Sequence, residues 1–217
     1  KSLLRKIRAI QPQLPALEWI VVVDQDEPEG EKIIGLNKLL ADTPDIFDYP
    51  HYVPAETPAF LQYTSGSTGK PKAALHVHAA LGDMQQSFRH IMQLQPEDLY
   101  WCTADPAWIT GMVYGILAPF STGARQVQYG GNYHAHNWLS LLEREGITVW
   151  YTAPTALRML MQEPESAFQQ HDFSALKRMY SVGEPLNPEI YHWGKKVFKV
   201  EIYDTWWQSE TGSMMIG

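Results

Sequence analysis

The sequence predicts an α/β fold, a mainly parallel sheet flanked by helices. Three observations predict it. Short β-branched or aromatic runs alternate with longer helical patterns from Phe60 onward, and Gly, Pro, Asn or Asp separates each pair. With 45% hydrophobic and 19% charged residues, the 217 positions also carry enough apolar side chains to fill a sizeable core.

Taken in order, Leu3, Leu4, Ile7 and Ile10 fall at helical intervals, and Trp19-Ile-Val-Val-Val23 reads as a buried strand ending at Asp24. The stretch from Asp42 to Pro58 holds four prolines and many acids and reads as a long surface connection. Strands are expected near Phe60 to Thr64, Ala73 to His76, Leu99 to Thr103, Gln126 to Gln128, Val149 to Thr152, Arg178 to Val182 and Glu201 to Tyr203. Helices are expected from His78 to Gln93, Trp108 to Phe120, Trp138 to Glu145, Thr155 to Glu163 and Pro188 to Val197, several with Pro or Asn at or near the start. Residues 1–58 thus read as the end of a preceding βα region with its linker, and 59–217 as the core of one domain. Met214-Met-Ile-Gly217 ends in mid-pattern, so the expectation is a larger domain cut at both ends.

Charge and cysteine usage exclude several classes. A net charge of −7 lacks the basic face that a phosphate backbone requires, so no nucleic-acid partner is expected. Cys102 stands alone and forms no internal disulfide, and no run reaches the roughly 18 apolar residues of a membrane span. Lys1 to Ile10 spreads its basic residues through the segment, unlike a secretory signal, and a cytoplasmic protein is expected. Oligomeric state is not legible.

Tyr63-Thr-Ser-Gly-Ser-Thr-Gly-Lys-Pro-Lys72 follows a short strand and concentrates hydroxyls, glycines and lysines. Glycines let backbone amides turn toward an anion, hydroxyls add donors and lysine adds charge, so phosphate is the expected ligand. Thr64 replaces the first Gly of a P-loop and Pro71 its magnesium-binding hydroxyl, which disfavours that motif. On composition alone a polar surface turn remains the alternative.

These ten residues resemble the phosphate-loop signature of the adenylate-forming superfamily. The resemblance implies that Thr64, Ser65, Gly66, Ser67, Thr68, Gly69 and Lys70 form a loop over the β and γ phosphates of ATP. It narrows to AMP-forming acetyl-coenzyme A synthetases on three further segments. Trp101-Cys-Thr-Ala-Asp-Pro-Ala-Trp-Ile-Thr-Gly111 is similar to the stretch of that family that would bring Trp108, Ile109 and Thr110 to the acetate pocket and the thiol entrance. It departs at Ala107, where Gly is usual, and at Met112, where many members carry His. Tyr180-Ser-Val-Gly-Glu-Pro-Leu-Asn-Pro188 would place Gly183, Glu184 and Pro185 along adenosine and Val182 against the acyl group. Read as residues alone, the first of these could be core tryptophans with a capping Asp, and the second an ordinary strand-to-helix turn.

Tyr203-Asp-Thr-Trp-Trp-Gln-Ser-Glu-Thr-Gly212 looks like the other main signature of that family, with Ser209 where threonine is more common. Its chemistry is readable directly: Asp204 can accept from an exocyclic amine, Ser209 can donate to a phosphate oxygen, and Glu210 can bind a hard cation such as magnesium. The alternative is a buried aromatic strand with a solvated Glu. The resemblance adds Thr205, Trp206, Trp207 and Gln208 to the nucleotide site, makes Lys70, Ser209 and Glu210 the catalytic group, and makes Trp207 the wall that closes the acyl pocket behind acetate. His76 and His78 lie on a predicted strand, where a core or surface role outweighs metal binding.

What the resemblance implies is the N-terminal domain of an enzyme that activates acetate with ATP and Mg2+ and passes the acetyl group to coenzyme A. The family keeps a further lysine in a small C-terminal lid domain that is not part of this sequence, so the chain alone is expected to turn over negligibly. The competing expectations are a propionyl- or other short-chain acyl-coenzyme A synthetase, and a non-catalytic nucleotide-binding module.

Overall fold

The computed structural model describes residues 2–23, 28, 30–43, 52–65 and 69–217. It divides into two compact units, Lys1–Tyr52 and Val53–Gly217, and each is described by itself.

In the first unit, helix α1 (Ser2–Ile10) leads through a 3-10 turn to strand β1 (Ile20–Val22), which pairs in parallel with β2 (Ile33–Gly35) before the short helix α2 (Leu36–Ala41). The sequence pattern did not predict β2 or α2. Nor is β1 the buried strand expected: within this unit it pairs only with β2, Trp19, Val21 and Val23 are exposed, and Val22 is buried. The expected strand end at Asp24 and residues 44–51 of the acidic connection lie outside the described residues.

The second unit opens with β3 (Pro58–Thr64) and β4 (Lys72–Val77), and here the structure corrects the expected βα repetition. The two strands form an antiparallel hairpin, with Thr64 opposite Lys72 and Tyr63 opposite Ala73. Residues 65–71 are too few for a parallel crossover, which takes about a dozen or more. The glycine-rich segment is therefore a hairpin connection and not the strand-to-helix turn of a P-loop, as Thr64 and Pro71 had indicated.

After helix α3 (Ala80–Met92), βα alternation holds. Strand β5 (Tyr100–Cys102) is followed by α4 (Ile109–Met112), a π turn over Val113–Leu117, α5 (Ala118–Thr122), β6 (Gln126–Val127), α6 (Ala135–Glu145), β7 (Val149–Thr152), α7 (Pro154–Leu160), α8 (Glu165–Gln169), β8 (Arg178–Ser181), α9 (Pro188–Phe198) and β9 (Ile202–Asp204). The five strands run in the order β6-β5-β7-β8-β9, every pair parallel. The single helix expected over 108–120 is interrupted because Pro119 has no N–H for the Gly115 carbonyl, which is taken instead by Gln128 Nε2. Asn187 caps α9 by accepting from the Glu189 N–H at 2.9 Å, with Pro188 at the first helical position.

Alternation along the strands builds two cores. Trp101, Trp150, Met179 and Ile202 pack on one face with residues of α6, α7, α8 and α9, and Tyr100, Cys102, Val149, Tyr151 and Tyr180 pack on the other against α3 and the 109–122 helices. Burial pushes the Cys102 thiol up to about 11. Native protein is therefore expected to resist a thiol reagent at neutral pH, and to react once urea unfolds it.

At the N-terminal ends of the strands Asp98, 2% exposed, accepts from Lys177 Nζ at 2.8 Å, Arg178 Nη2 at 2.9 Å, Thr148 Oγ1 at 2.9 Å and the Gln95 N–H at 2.9 Å. Burial raises its pKa, but the bonds from Gln95, Lys177 and Thr148 outweigh that and hold the carboxyl below its ordinary value. A depressed folded-state pKa stabilises above the unfolded value and is lost as pH falls through the folded one. Asp98→Ala strips an acceptor from four donors and is expected to cost about 3 kcal/mol or more. Urea titration at pH 7 should show that loss, and it should shrink below about pH 4, where the unfolded wild-type carboxyl is itself protonated.

Candidate active site

The segments that carry chemistry converge at the opposite, C-terminal end of the parallel strands, where ligands bind in open α/β sheets. A cavity of about 740 Å3 is lined there by Thr64 from the hairpin, Trp108, Ile109 and Thr110 from the turn into α4, Val182, Gly183 and Glu184 from the turn after β8, and Trp207, Gln208, Ser209 and Glu210 from the segment after β9. Thr103, Ala104, Trp138, Ala153, Thr155 and Ala156 complete it and also line an adjoining cavity of about 590 Å3.

Local chemistry fixes each wall. Asp105 Oδ1 accepts from the Ala107 N–H at 2.7 Å, and the Trp108 N–H donates to the Asp105 carbonyl at 2.9 Å, so the turn that presents Trp108 is closed by its own acid. Gly111 is required behind that turn, since a Cβ there would lie 2.2 Å from the Asp105 carbonyl oxygen. Trp108 is 70% exposed at the cavity, while Ile109 is buried. Gly183 takes φ +92° at the end of β8, a conformation open to glycine, and lets the chain turn beside the cavity. Glu184 Oε1 accepts from the Thr155 N–H at 2.7 Å, which satisfies an orphan donor of the α7 N-terminus and pins the turn to that helix.

The other expected site residues that the structure describes do not line this cavity. Ser65, Gly69 and Lys70 are exposed at the two ends of the hairpin connection, and Gly66, Ser67 and Thr68 lie outside the described residues. Pro185, Asp204 and Trp206 are exposed and do not line the cavity; Trp206 forms an antiparallel bridge with Ile216. Thr205 is buried, its Oγ1 donating to the Ser181 carbonyl at 2.8 Å.

Residues that the motifs did not single out hold the site together. His76 is buried, stacks on Phe60 with centroids 4.8 Å apart, and places Nε2 at 2.8 Å from the Ser209 carbonyl, so the hairpin is tied to the segment bearing Ser209 and Glu210. Gln62 Nε2 donates to the Ala107 carbonyl at 3.1 Å and ties the hairpin to the Trp108 turn. A polar residue at a core-facing strand position was the one available signal for His76.

No group of three metal-ligating side chains exists among the described residues, and no helix among them is long and apolar enough to cross a membrane. Glu210 is exposed at the cavity and makes no hydrogen bond or ion pair with the other described residues. A carboxylate with free oxygens fits a magnesium ion whose other ligands are substrate phosphates and water, and does not fit a cation caged by protein alone.

The chain belongs to the AMP-binding enzyme family, whose model matches residues 1–217. Its relatives include the acetyl-coenzyme A synthetase of Bacillus subtilis (strain 168), 44% identical over 204 residues, with 94% of this chain and 36% of that protein covered. The acetyl-coenzyme A synthetase of Pyrobaculum aerophilum is 40% identical over 195 residues, covering 83% and 28%. Among solved structures, the anthranilate CoA ligase AuaEII in complex with anthranoyl-AMP superposes with a TM-score of 0.87 at 27% identity, over 99% of this chain and 41% of that one. The acyl-CoA synthetase of Brucella canis does so at 0.84 and 25% identity, over 94% and 37%. The chain thus spans well under half the length of each of these relatives.

Proposed function

We propose that the protein carrying this chain is an AMP-forming acetate–CoA ligase, and that the cavity beneath Trp207 holds the acetyl group of an acetyl-adenylate. The observation that carries this reading is the set of apolar residues at the cavity. Ile109, Val182 and Trp207 line it together with Thr110 and Thr64, so an acyl group meets a short apolar wall while polar side chains stand nearby. The names of the Bacillus subtilis and Pyrobaculum aerophilum relatives support the same substrate.

In this reading an acetate oxygen attacks the α-phosphorus of ATP and pyrophosphate leaves. The coenzyme A thiol then attacks the acetyl carbonyl, AMP leaves, and the thiol proton passes to solvent. No protein side chain becomes covalently modified. The chain's part is to orient the reactants and to meet developing charge. Lys70 and the hairpin connection bind the β and γ phosphates, and Ser209 donates to an α-phosphate oxygen. Gly183, Glu184, Pro185, Asp204, Thr205, Trp206 and Gln208 border the nucleoside, with Thr205 acting from behind through the backbone it holds. Glu210 would hold magnesium, which supplies charge neutralisation of the triphosphate. A further lysine is expected from the small lid domain that the resemblance implies.

The test is product analysis on the full-length protein with acetate, ATP and coenzyme A. AMP, pyrophosphate and acetyl-CoA in equal amounts are expected; ADP and phosphate would rule the reading out.

A further inference from the structure

The Trp207 indole is held by a hydrogen-bond relay whose direction the structure determines. Its Nε1 lies 3.2 Å from Tyr151 Oη, Tyr151 Oη lies 2.8 Å from Thr205 Oγ1, and Thr205 Oγ1 lies 2.8 Å from the Ser181 carbonyl. An indole N–H only donates and a carbonyl only accepts, so each hydroxyl must accept on one side and donate on the other. Tyr151 is fully buried, and burial drives its phenol well above the ordinary value, so it keeps the proton that the relay needs. The indole is also gripped from a second direction: the Tyr114 ring meets it edge to face at 4.9 Å, and Tyr114 is anchored by its own hydroxyl, which pairs with Ser87 Oγ at 2.7 Å and accepts from the Met214 N–H at 2.6 Å.

Trp207 and Val182 both line the cavity, and the relay ends on Ser181, the residue just before Val182. Two walls of one pocket are thereby spaced by Tyr151, a residue of the neighbouring strand that lies outside that lining. We infer that Tyr151 is a specificity-positioning residue, which sets chain-length selection by fixing the Trp207 indole at its distance from the β8 turn. The inference rests on the reading of Trp207 as the acyl-pocket wall. Without the Tyr151 hydroxyl the indole N–H loses its partner, and the ring's favoured course is to rotate toward a polar atom or water and so deepen the pocket.

The experiment compares wild type, Tyr151→Phe and Trp207→Gly in the full-length protein by acid-dependent pyrophosphate–ATP exchange with acetate and propionate. Tyr151→Phe is expected to lower the acetate-to-propionate ratio of kcat/KM about tenfold through KM for the acids, with KM for ATP unchanged. A merely structural lesion would lower both acids together and leave the ratio alone. An unchanged ratio in Tyr151→Phe beside a shifted ratio in Trp207→Gly overturns the inference and leaves the pocket reading standing. An unchanged ratio in both overturns the reading itself, and the inference with it. Should Tyr151→Phe not fold, hydrogen exchange of the wild-type indole N–H groups decides: protection of Trp207 far above that of exposed Trp108 and Trp206 supports the relay, and equal exchange overturns it.

Discussion

On the proposed reading, Trp207→Gly is expected to shift the acid preference of the full-length protein from acetate toward longer acids. The indole lines a cavity in which Ile109 and Val182 are buried and backed by the core, so removing Trp207 opens space beside them. Each methylene admitted to an apolar pocket is worth about 1 to 3 kcal/mol, or roughly 10- to 200-fold. Propionate and butyrate should therefore gain at least about tenfold in kcat/KM relative to acetate, which loses its closing wall. The indole also contacts Tyr114 and Tyr151, so some loss of stability accompanies the change; kcat/KM ratios between acids measured on one preparation cancel it.

Glu210→Gln is expected to lower pyrophosphate exchange about a hundredfold or more, the scale on which removing one group aimed at transition-state charge acts. The substitution keeps size and removes one negative charge from a side chain with no partner among the described residues, so folding should be unaffected. Raising magnesium should recover part of the loss, because a weakened cation site saturates at higher concentration. Exchange at wild-type rates in Glu210→Gln would remove Glu210 from the metal and charge-handling role.

Much of this was legible in the sequence because the strands of the five-stranded sheet are short apolar runs punctuated by Gly, Pro and Asn, and because Asn187-Pro188 marks a helix start that the structure keeps. The candidate site was named through the family resemblance; Trp108, Val182 and Trp207 meet at one cavity because each follows a strand of one sheet, and parallel strands deliver such turns to one edge. What escaped was what depends on pairing between distant segments. That β3 and β4 form a hairpin follows from strand direction, which periodicity does not encode. Tyr151 reads as one more aromatic in Val149-Trp-Tyr-Thr152, and nothing local distinguishes its inward hydroxyl from the ring of Trp150 that packs on the opposite face. Pro119 stands inside the run read as one helix from Trp108 to Phe120, and the break it imposes at Gly115 is plain only once Gln128 is brought alongside.

The most direct measurement of the central claim is exchange of labelled pyrophosphate into ATP by the full-length protein with acetate, propionate and butyrate in turn. Exchange that requires an acid and falls in the order acetate, propionate, butyrate is the predicted result. Exchange with none of the three acids, or equal exchange with all of them, would contradict an acetyl-adenylate closed in by Trp207.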